Sequence, residues 1–121
     1  MPPDRDRDRD AFEDMLFYAR DVLQVVEGRS EEDLEREWIL AKGLERVLQN
    51  VGEAANRVSH PTRAEHPEIP WMDIIGMRHH LVHEYDDIEH EVIWKTITED
   101  LPPLIAALEK LLAEHDPGQL T

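Results

Sequence analysis

One short stretch of the chain carries most of the side chains able to do chemistry. Four of the seven histidines lie between positions 79 and 90, and the centre of that window reads Arg78-His79-His80-Leu81-Val82-His83-Glu84-Tyr85. A guanidinium offers a fixed fork of donors to phosphate oxygens, and an imidazole accepts or donates a proton near neutral pH. A tyrosine hydroxyl donates a hydrogen bond or accepts a modification. These residue types favour chemistry at a phosphate group.

Helical geometry does not bring all of these groups to one point. Arg78 and Tyr85 are seven residues apart and project from nearly the same side of a helix. His83 lies about 140° around from Arg78, at about 100° per residue. Either the helix ends before Tyr85 and turns, or two copies of the chain combine their groups across a dimer.

A metal site is a competing interpretation of the same histidines. His79 and His83 are spaced i, i+4 on one helix face, with Glu84 or Asp87 as a third ligand. This ligand set is incomplete, so the sequence predicts no metal and no cofactor.

Other conspicuous side chains have simpler structural explanations. His80 and His90 are expected on the surface without a special role, and Trp71 and Trp94 in the core. Glu53 lies in the apolar stretch 51–55, where we favour a buried carboxylate paired with an arginine over an accessory role at the site.

Composition narrows the classes of function. The chain has 121 residues, no cysteine and a net charge of -15, which suits one domain without disulfides, thiolate zinc or a cysteine nucleophile. Such charge disfavours a broad basic surface for DNA, so Arg78 must supply local positive charge. No apolar run approaches the roughly 20 residues of a membrane span, and the N-terminus has no signal-like apolar stretch. A cytoplasmic location is expected.

Apolar spacing predicts helices that position this stretch. Residues 1–9 alternate Asp and Arg and are expected to form a flexible, solvated lead-in. A helix from Asp10 should end at Gly28. A second, capped by Ser30 and Asp33, should run unbroken to about Val58, with Gly43 and Gly52 allowing close helix packing.

In the second half of the chain, the apolar spacing predicts shorter helices. A polar loop follows His60-Pro61, and Pro70 opens a third helix ending near Tyr85. Asp86 and Asp87 cap a fourth helix, and a fifth is capped within 98–100. The seams expected to be buried are Phe12, Met15, Leu16, Ala19, Val22, Leu23 and Val26 in the first helix, Leu34, Ala41, Leu44, Leu48, Val51, Ala55 and Val58 in the second, and Leu104, Ile105, Leu108, Leu111 and Leu112 in the fifth. No stretch alternates with period two, so the fold class is all-α, an antiparallel bundle of about five helices in one domain at 10–116, followed by a tail at 117–121.

At these residues the sequence resembles the HepT-like toxins of the HEPN superfamily. The pattern is Arg, four to six residues, His, one residue, Tyr, here Arg78 to His83 to Tyr85. Surrounding segments share the resemblance: VGEAANRVS at 51–59, HPEIPWMDIIGMRHHLVHEYDDI at 66–88 and VIWKTITEDLPPL at 92–104. One departure is His79, where these proteins often have Asn.

The resemblance implies a dimeric HEPN-type helical bundle. It implies the toxin of a toxin–antitoxin pair, a metal-independent endoribonuclease with catalytic Arg78, His83 and Tyr85. The imidazole of His79, where the family often has Asn, is a candidate accessory proton donor. The resemblance also implies an MntA-like nucleotidyltransferase antitoxin that transfers AMP to Tyr85. An open alternative is a non-catalytic helical dimer that such an enzyme binds and modifies; the acidic charge favours it, because it opposes the approach of RNA.

Overall fold

Three long helices form the frame of the domain. The computed structural model describes residues 5–77 and 90–115, and every regular element in those two ranges is helical, which confirms the predicted all-α fold. Helix α1 (Arg5–Val26) packs against both α3 (Trp38–Asn56) and α7 (Leu101–His115). No helix in the described ranges is long and apolar enough to cross a membrane. Shorter helices complete the bundle: α2 (Glu31–Arg36), α4 (His60–Glu65), α5 (Trp71–Gly76) and α6 (His90–Lys95).

Helices α1 and α3 run antiparallel. Near the start of α1, Asp8 accepts hydrogen bonds from the backbone and side chain of Ser59, just beyond the end of α3. At the opposite end, Val25 of α1 and Ile39 of α3 line one shared groove. The contacts therefore pair the start of one helix with the end of the other.

The core is formed by the apolar faces that the sequence predicts. Most members of the predicted seams are buried, because residues three and four apart share one side of a helix. Leu23, Ile105 and Leu112 are only partly buried, at the edge of the core. The buried set includes Phe12, Met15, Ala19 and Val22 of α1, Ala41, Leu44, Leu48, Val51 and Ala55 of α3, and Leu104, Leu108 and Leu111 of α7.

The N-terminal expectation is wrong for the segment from Arg5 to Arg9. Helix α1 begins at Arg5, five residues earlier than predicted, and Asp8 is fully buried. Asp8 accepts hydrogen bonds from Ser59 and from the Thr62 hydroxyl, residues more than 50 positions away. This distant set of donors compensates the burial of a carboxylate that local composition assigns to solvent.

The predicted helix from Ser30 to Val58 is broken at Glu37. Glu37 has φ -119° and ψ 82°, which separates α2 from α3. Leu34 and Ala41 are buried, but Trp38 between them is exposed, so the apolar face is interrupted at this point. Arg29 forms an ion pair with Glu37 at 2.9 Å across the bend.

The caps of the first two helices agree with the sequence. Gly28 adopts φ +77°, the left-handed conformation expected after the end of α1. At the start of α2 the Ser30 amide donates to Asp33 Oδ2 at 2.8 Å, half of the predicted capping box.

The polar loop predicted after His60-Pro61 contains helix α4. Ser59 is its N-cap and Pro61 lies in its first turn, where a missing amide hydrogen costs nothing. Pro70, predicted as the first residue of the third helix, is instead the N-cap of α5, so this helix begins one residue later, at Trp71. The predicted end of this helix, near Tyr85, lies outside the described residues. So do Asp86 and Asp87, the predicted caps of the next helix.

The fourth and fifth predicted helices are continuous. A π-helical turn, Thr96–Asp100, joins α6 to α7, and the Leu101 amide donates to the Thr96 carbonyl. Pro102 and Pro103 lack the amides that would reach residues 98 and 99, and their rings would press on those carbonyls in an α-helix. The wider turn accommodates both prolines without ending the helix.

One of the two glycines in α3 fits its predicted packing role. Gly52 is buried in the helix interface. Gly43 is exposed, and a Cβ built there meets nothing within 4 Å, so the prediction of close packing is wrong at Gly43.

Candidate active site

The described structure fixes the two elements that flank the predicted site. Arg78, His79, His83 and Tyr85 lie outside the described residues, between α5 with its cap Met77 and the first residue of α6. What the structure establishes is therefore how firmly the bundle holds each end of that segment.

Helix α5 is anchored through Trp71. This side chain is only 7% exposed, as predicted for a core residue, and its ring lies 6.3 Å from that of Phe12 on α1. Its indole Nε1 donates to the His66 carbonyl at 2.9 Å, which also satisfies the polar edge of the ring. Ile74 and Ile75 are buried on the same helix. The chain therefore reaches Met77 from a fixed position.

Helix α6 is anchored on the other side of the segment. Ile93 is fully buried, and Trp94 is partly buried against the core. The Thr96 hydroxyl donates to the Val92 carbonyl at 2.9 Å at the junction with the π turn. The predicted core role of Trp94 is therefore confirmed only in part. Helix α6, which follows the segment 78–89, is packed against the core.

Glu53 does not occupy the predicted buried position. Its side chain is exposed on α3, although its neighbours Gly52 and Ala54 are buried. The apolar neighbours in the sequence suggested burial, but Glu53 faces away from the seam on the helix surface. An accessory role for Glu53 remains a prediction.

A different acidic residue of α3, not predicted from the sequence, is buried. Glu45 is 8% exposed, and Gln49 Nε2 donates to its Oε1 at 3.3 Å. The signal was available in the sequence, because Glu45 lies between Ala41 and Leu48 with a spacing of four and three. That spacing places it on the seam of the helix.

Several cations of the described chain are already engaged. Arg20 pairs with Glu109 at 3.3 Å and Arg57 with Asp14 at 2.6 Å. Arg63 donates to the carbonyls of residues 56 and 58 at the end of α3. Burial lowers the pKa of Arg63, and the nearby Asp8 partly offsets this effect. These three guanidinium groups make contacts within the fold. A phosphate-binding role for Arg78, which lies outside the described residues, stays a prediction.

The described residues hold no group of three or more His, Asp or Glu side chains placed to bind a metal ion. This finding covers residues 5–77 and 90–115. The alternative pair His79 and His83 lies outside those ranges.

Comparison with known proteins gives consistent matches. A family described as "Ribonuclease HepT-like" matches residues 15–111. A "Putative RNase" of Caldanaerobacter subterraneus subsp. tengcongensis is 32% identical over 107 residues, covering 88% of this chain and 96% of that protein. The "Probable ribonuclease HepT" of Thermococcus cleftensis is 31% identical, covering 84% and 96% respectively. A "Putative RNase" of Methanocaldococcus jannaschii is 29% identical, covering 85% and 95%. No solved structure matches the chain significantly.

Proposed function

Because this chain belongs to the HepT-like ribonuclease family, we propose that it is the toxin of a toxin–antitoxin pair that cleaves cytoplasmic RNA without a metal ion. The matches to this family and to the relatives confirm the family and the ribonuclease class predicted from the sequence. The observation that carries the proposal is that the matched range, residues 15–111, includes the whole stretch from Arg78 to Tyr85.

The proposed reaction uses the RNA's own 2′-hydroxyl as the nucleophile. His83 takes the proton as the 2′-oxygen bonds to the adjacent phosphorus, and the bond from phosphorus to the 5′-oxygen breaks. A proton passes to the leaving 5′-oxygen, for which His79 is the candidate donor. The products are a 2′,3′-cyclic phosphate and a 5′-hydroxyl. General acid–base catalysis of this kind contributes about 10²- to 10⁴-fold.

Arg78 and Tyr85 act on the phosphate in this proposal. The Arg78 guanidinium stabilises the additional negative charge on the phosphoryl oxygens in the transition state. The Tyr85 hydroxyl donates a hydrogen bond to a phosphate oxygen or orients His83. Anchoring of α5 through Trp71 and of α6 through Ile93 supports this role, because a site built on rigid elements keeps its groups in register.

A nucleotidyltransferase antitoxin controls this activity by transferring AMP to Tyr85. The Tyr85 oxygen attacks the α-phosphorus of ATP, pyrophosphate leaves, and the hydroxyl proton is lost to a base. The adduct fills the site, and its phosphate competes with RNA for Arg78 while repelling the RNA backbone.

An apolar surface supports the proposed homodimer. Between α1 and α3 lies a groove of about 300 Å³, lined among others by Val25, Ile39 and Gly43, which we call the α1–α3 groove. Ile39 is 70% exposed and its neighbour Trp38 is 67% exposed. Large exposed apolar side chains in one patch are typical of surfaces that another protein covers. A second copy of the chain is the occupant we propose.

The catalytic proposal is tested by cleavage of single-stranded RNA in EDTA. We expect His83→Ala and Arg78→Ala each to lose at least 100-fold in cleavage rate, about the lower bound for removal of such groups. His90→Ala is the matched control, because His90 is partly exposed in the first turn of α6. All variants should keep the helical circular dichroism of the parent. Full RNA cleavage by each of the two single variants would refute the assignment of His83 and Arg78 as catalytic residues. A parent protein that does not cleave RNA would favour the non-catalytic dimer.

A further inference from the structure

A second groove lies between α5 and the helices that follow the predicted site. It has a volume of about 410 Å³, and we call it the α5–α7 groove. Its floor includes the buried side chains of Ile74, Leu101 and Leu104. Met72, at its edge, is 74% exposed, although a methionine side chain prefers an apolar environment. The groove therefore presents an apolar floor of the size that one or two large side chains fill.

The polar lining of this groove is acidic. Glu68, Asp73 and Asp100 line it and are exposed, and the described residues of its lining include no lysine or arginine. Three carboxylates beside an apolar floor repel the phosphates of RNA and attract cations. The charge thus selects a protein segment with basic residues over a nucleic acid.

Two methionines make the groove adaptable. Met72 and Met77 both line it. An unbranched thioether side chain adopts several shapes at little cost, which is why methionine is frequent on surfaces that bind peptide helices. The floor can therefore accept a large apolar side chain without a fixed template.

The groove also borders both sides of the predicted active segment. Met77 immediately precedes Arg78, and Val92 follows the same segment on α6; both side chains line the groove. A ligand in this groove consequently touches the chain on either side of residues 78–89.

We propose that the α5–α7 groove is a docking site for a partner protein, which inserts a large apolar side chain flanked by lysine or arginine. The apolar side chain lies on Ile74 and Leu104, and the basic residues pair with Glu68 and Asp100. This inference goes beyond the proposed reaction and does not depend on it, because the groove would bind such a segment even if the chain cut no RNA.

The charge requirement is tested with a defined probe. The probe is a fluorescein-labelled amphipathic peptide of leucine and lysine of about 15 residues, long enough to form a helix on binding. Its affinity is measured by fluorescence anisotropy at several salt concentrations. The variant Glu68→Lys/Asp100→Lys should bind about tenfold or more weakly, since two exposed attractions become repulsions. The control Glu65→Lys/Glu99→Lys changes the net charge equally at exposed positions outside the lining and should bind like the parent.

The apolar requirement is tested by filling the groove. Ala107 lines the groove and Ala106 is exposed outside it, so Ala107→Phe and Ala106→Phe form a matched pair. We expect at least a tenfold loss of peptide affinity for the first and no change for the second, with unchanged circular dichroism in both.

Other outcomes of these experiments overturn the proposal. Equal weakening by the two charge variants would mean attraction to the net charge of the protein alone. Full affinity in Ala107→Phe, or no peptide binding by the parent, would exclude this groove as a docking site. Loss of self-association in Ala107→Phe, measured by sedimentation velocity, would assign the groove to a second copy of this chain instead.

Discussion

The buried carboxylate of Asp8 should be one of the most sensitive positions for the stability of the bundle. Asp8 is 0% exposed and accepts hydrogen bonds from the Ser59 amide at 2.7 Å, the Ser59 hydroxyl at 2.8 Å and the Thr62 hydroxyl. Thr62 is itself buried, at 1% exposed. These bonds connect the first turns of α1 to the N-terminus of α4, so their loss affects two elements at once.

The expected magnitude follows from the groups that Asp8→Ala leaves behind. The substitution removes three hydrogen bonds to a carboxylate and leaves the Ser59 amide without this acceptor. The Thr62 hydroxyl keeps its 3.0 Å hydrogen bond with the Ser59 hydroxyl. A buried donor without a partner costs about 1–3 kcal/mol. Because a hydrogen bond to a charged group contributes about 1.5–3 kcal/mol, we expect the free energy of unfolding to fall by about 3–5 kcal/mol in total. Asp8→Asn keeps the shape and one carbonyl acceptor, so its loss should be smaller, about 1–2 kcal/mol.

The assay is urea denaturation followed by circular dichroism at one fixed protein concentration, because self-association would make the midpoint depend on concentration. Asp10→Ala is the matched control, since Asp10 is exposed on the same helix. It should change the free energy of unfolding by no more than about 0.5 kcal/mol. If Asp8→Ala costs no more than Asp10→Ala, the reasoning about this network is wrong.

Three further predictions concern assembly, control and acid stability. Ile39→Lys in the α1–α3 groove should reduce self-association by at least tenfold in sedimentation velocity, whereas Met72→Lys outside it should not; equal effects would exclude this surface as the dimer interface. Adding a partner nucleotidyltransferase with ATP and Mg²⁺ should raise the mass of the chain by one or more AMP units and stop RNA cleavage. Tyr85→Phe should prevent the mass change, and an adduct found on Tyr18 would contradict the assignment. The backbone hydrogen bond from Ser30 lowers the pKa of Asp33 below its usual value of 3.8, so its contribution to stability is present above that value and lost as the pH falls through the lowered pKa. Asp33→Asn should therefore flatten the acid limb of a stability-against-pH curve, and an unchanged limb would show that this cap does not contribute.

The sequence predicts the helical seams because their periodicity is a local property. Phe12, Met15, Leu48 and Val51 are buried as their spacing requires. The same periodicity identifies Glu45 as a buried position, although its residue type drew attention away from it. Local pattern thus determines which face of each helix is buried.

Features that depend on distant partners could not be predicted in this way. Asp8 is buried because Ser59, 51 positions later, supplies its donors, and nothing near Asp8 in the sequence indicates this. The break at Glu37 interrupts a seam whose apolar spacing continues from Leu34 to Ala41, so the spacing alone does not indicate it. The site residues Arg78, His83 and Tyr85 were predicted from their spacing and from the resemblance to a family. Both indicate which reaction the residues can perform, but neither gives the positions of their side chains in the fold.

The chemical ends of the RNA products distinguish attack by the 2′-hydroxyl from metal-dependent hydrolysis. Unmodified protein is incubated with a single-stranded RNA in EDTA, and the fragments are analysed by mass spectrometry. Attack by the 2′-hydroxyl predicts fragments that end in a 2′,3′-cyclic phosphate and begin with a 5′-hydroxyl, formed by the parent but not by His83→Ala. Fragments with 5′-phosphate and 3′-hydroxyl ends, or cleavage only after a divalent metal is restored, would contradict the account.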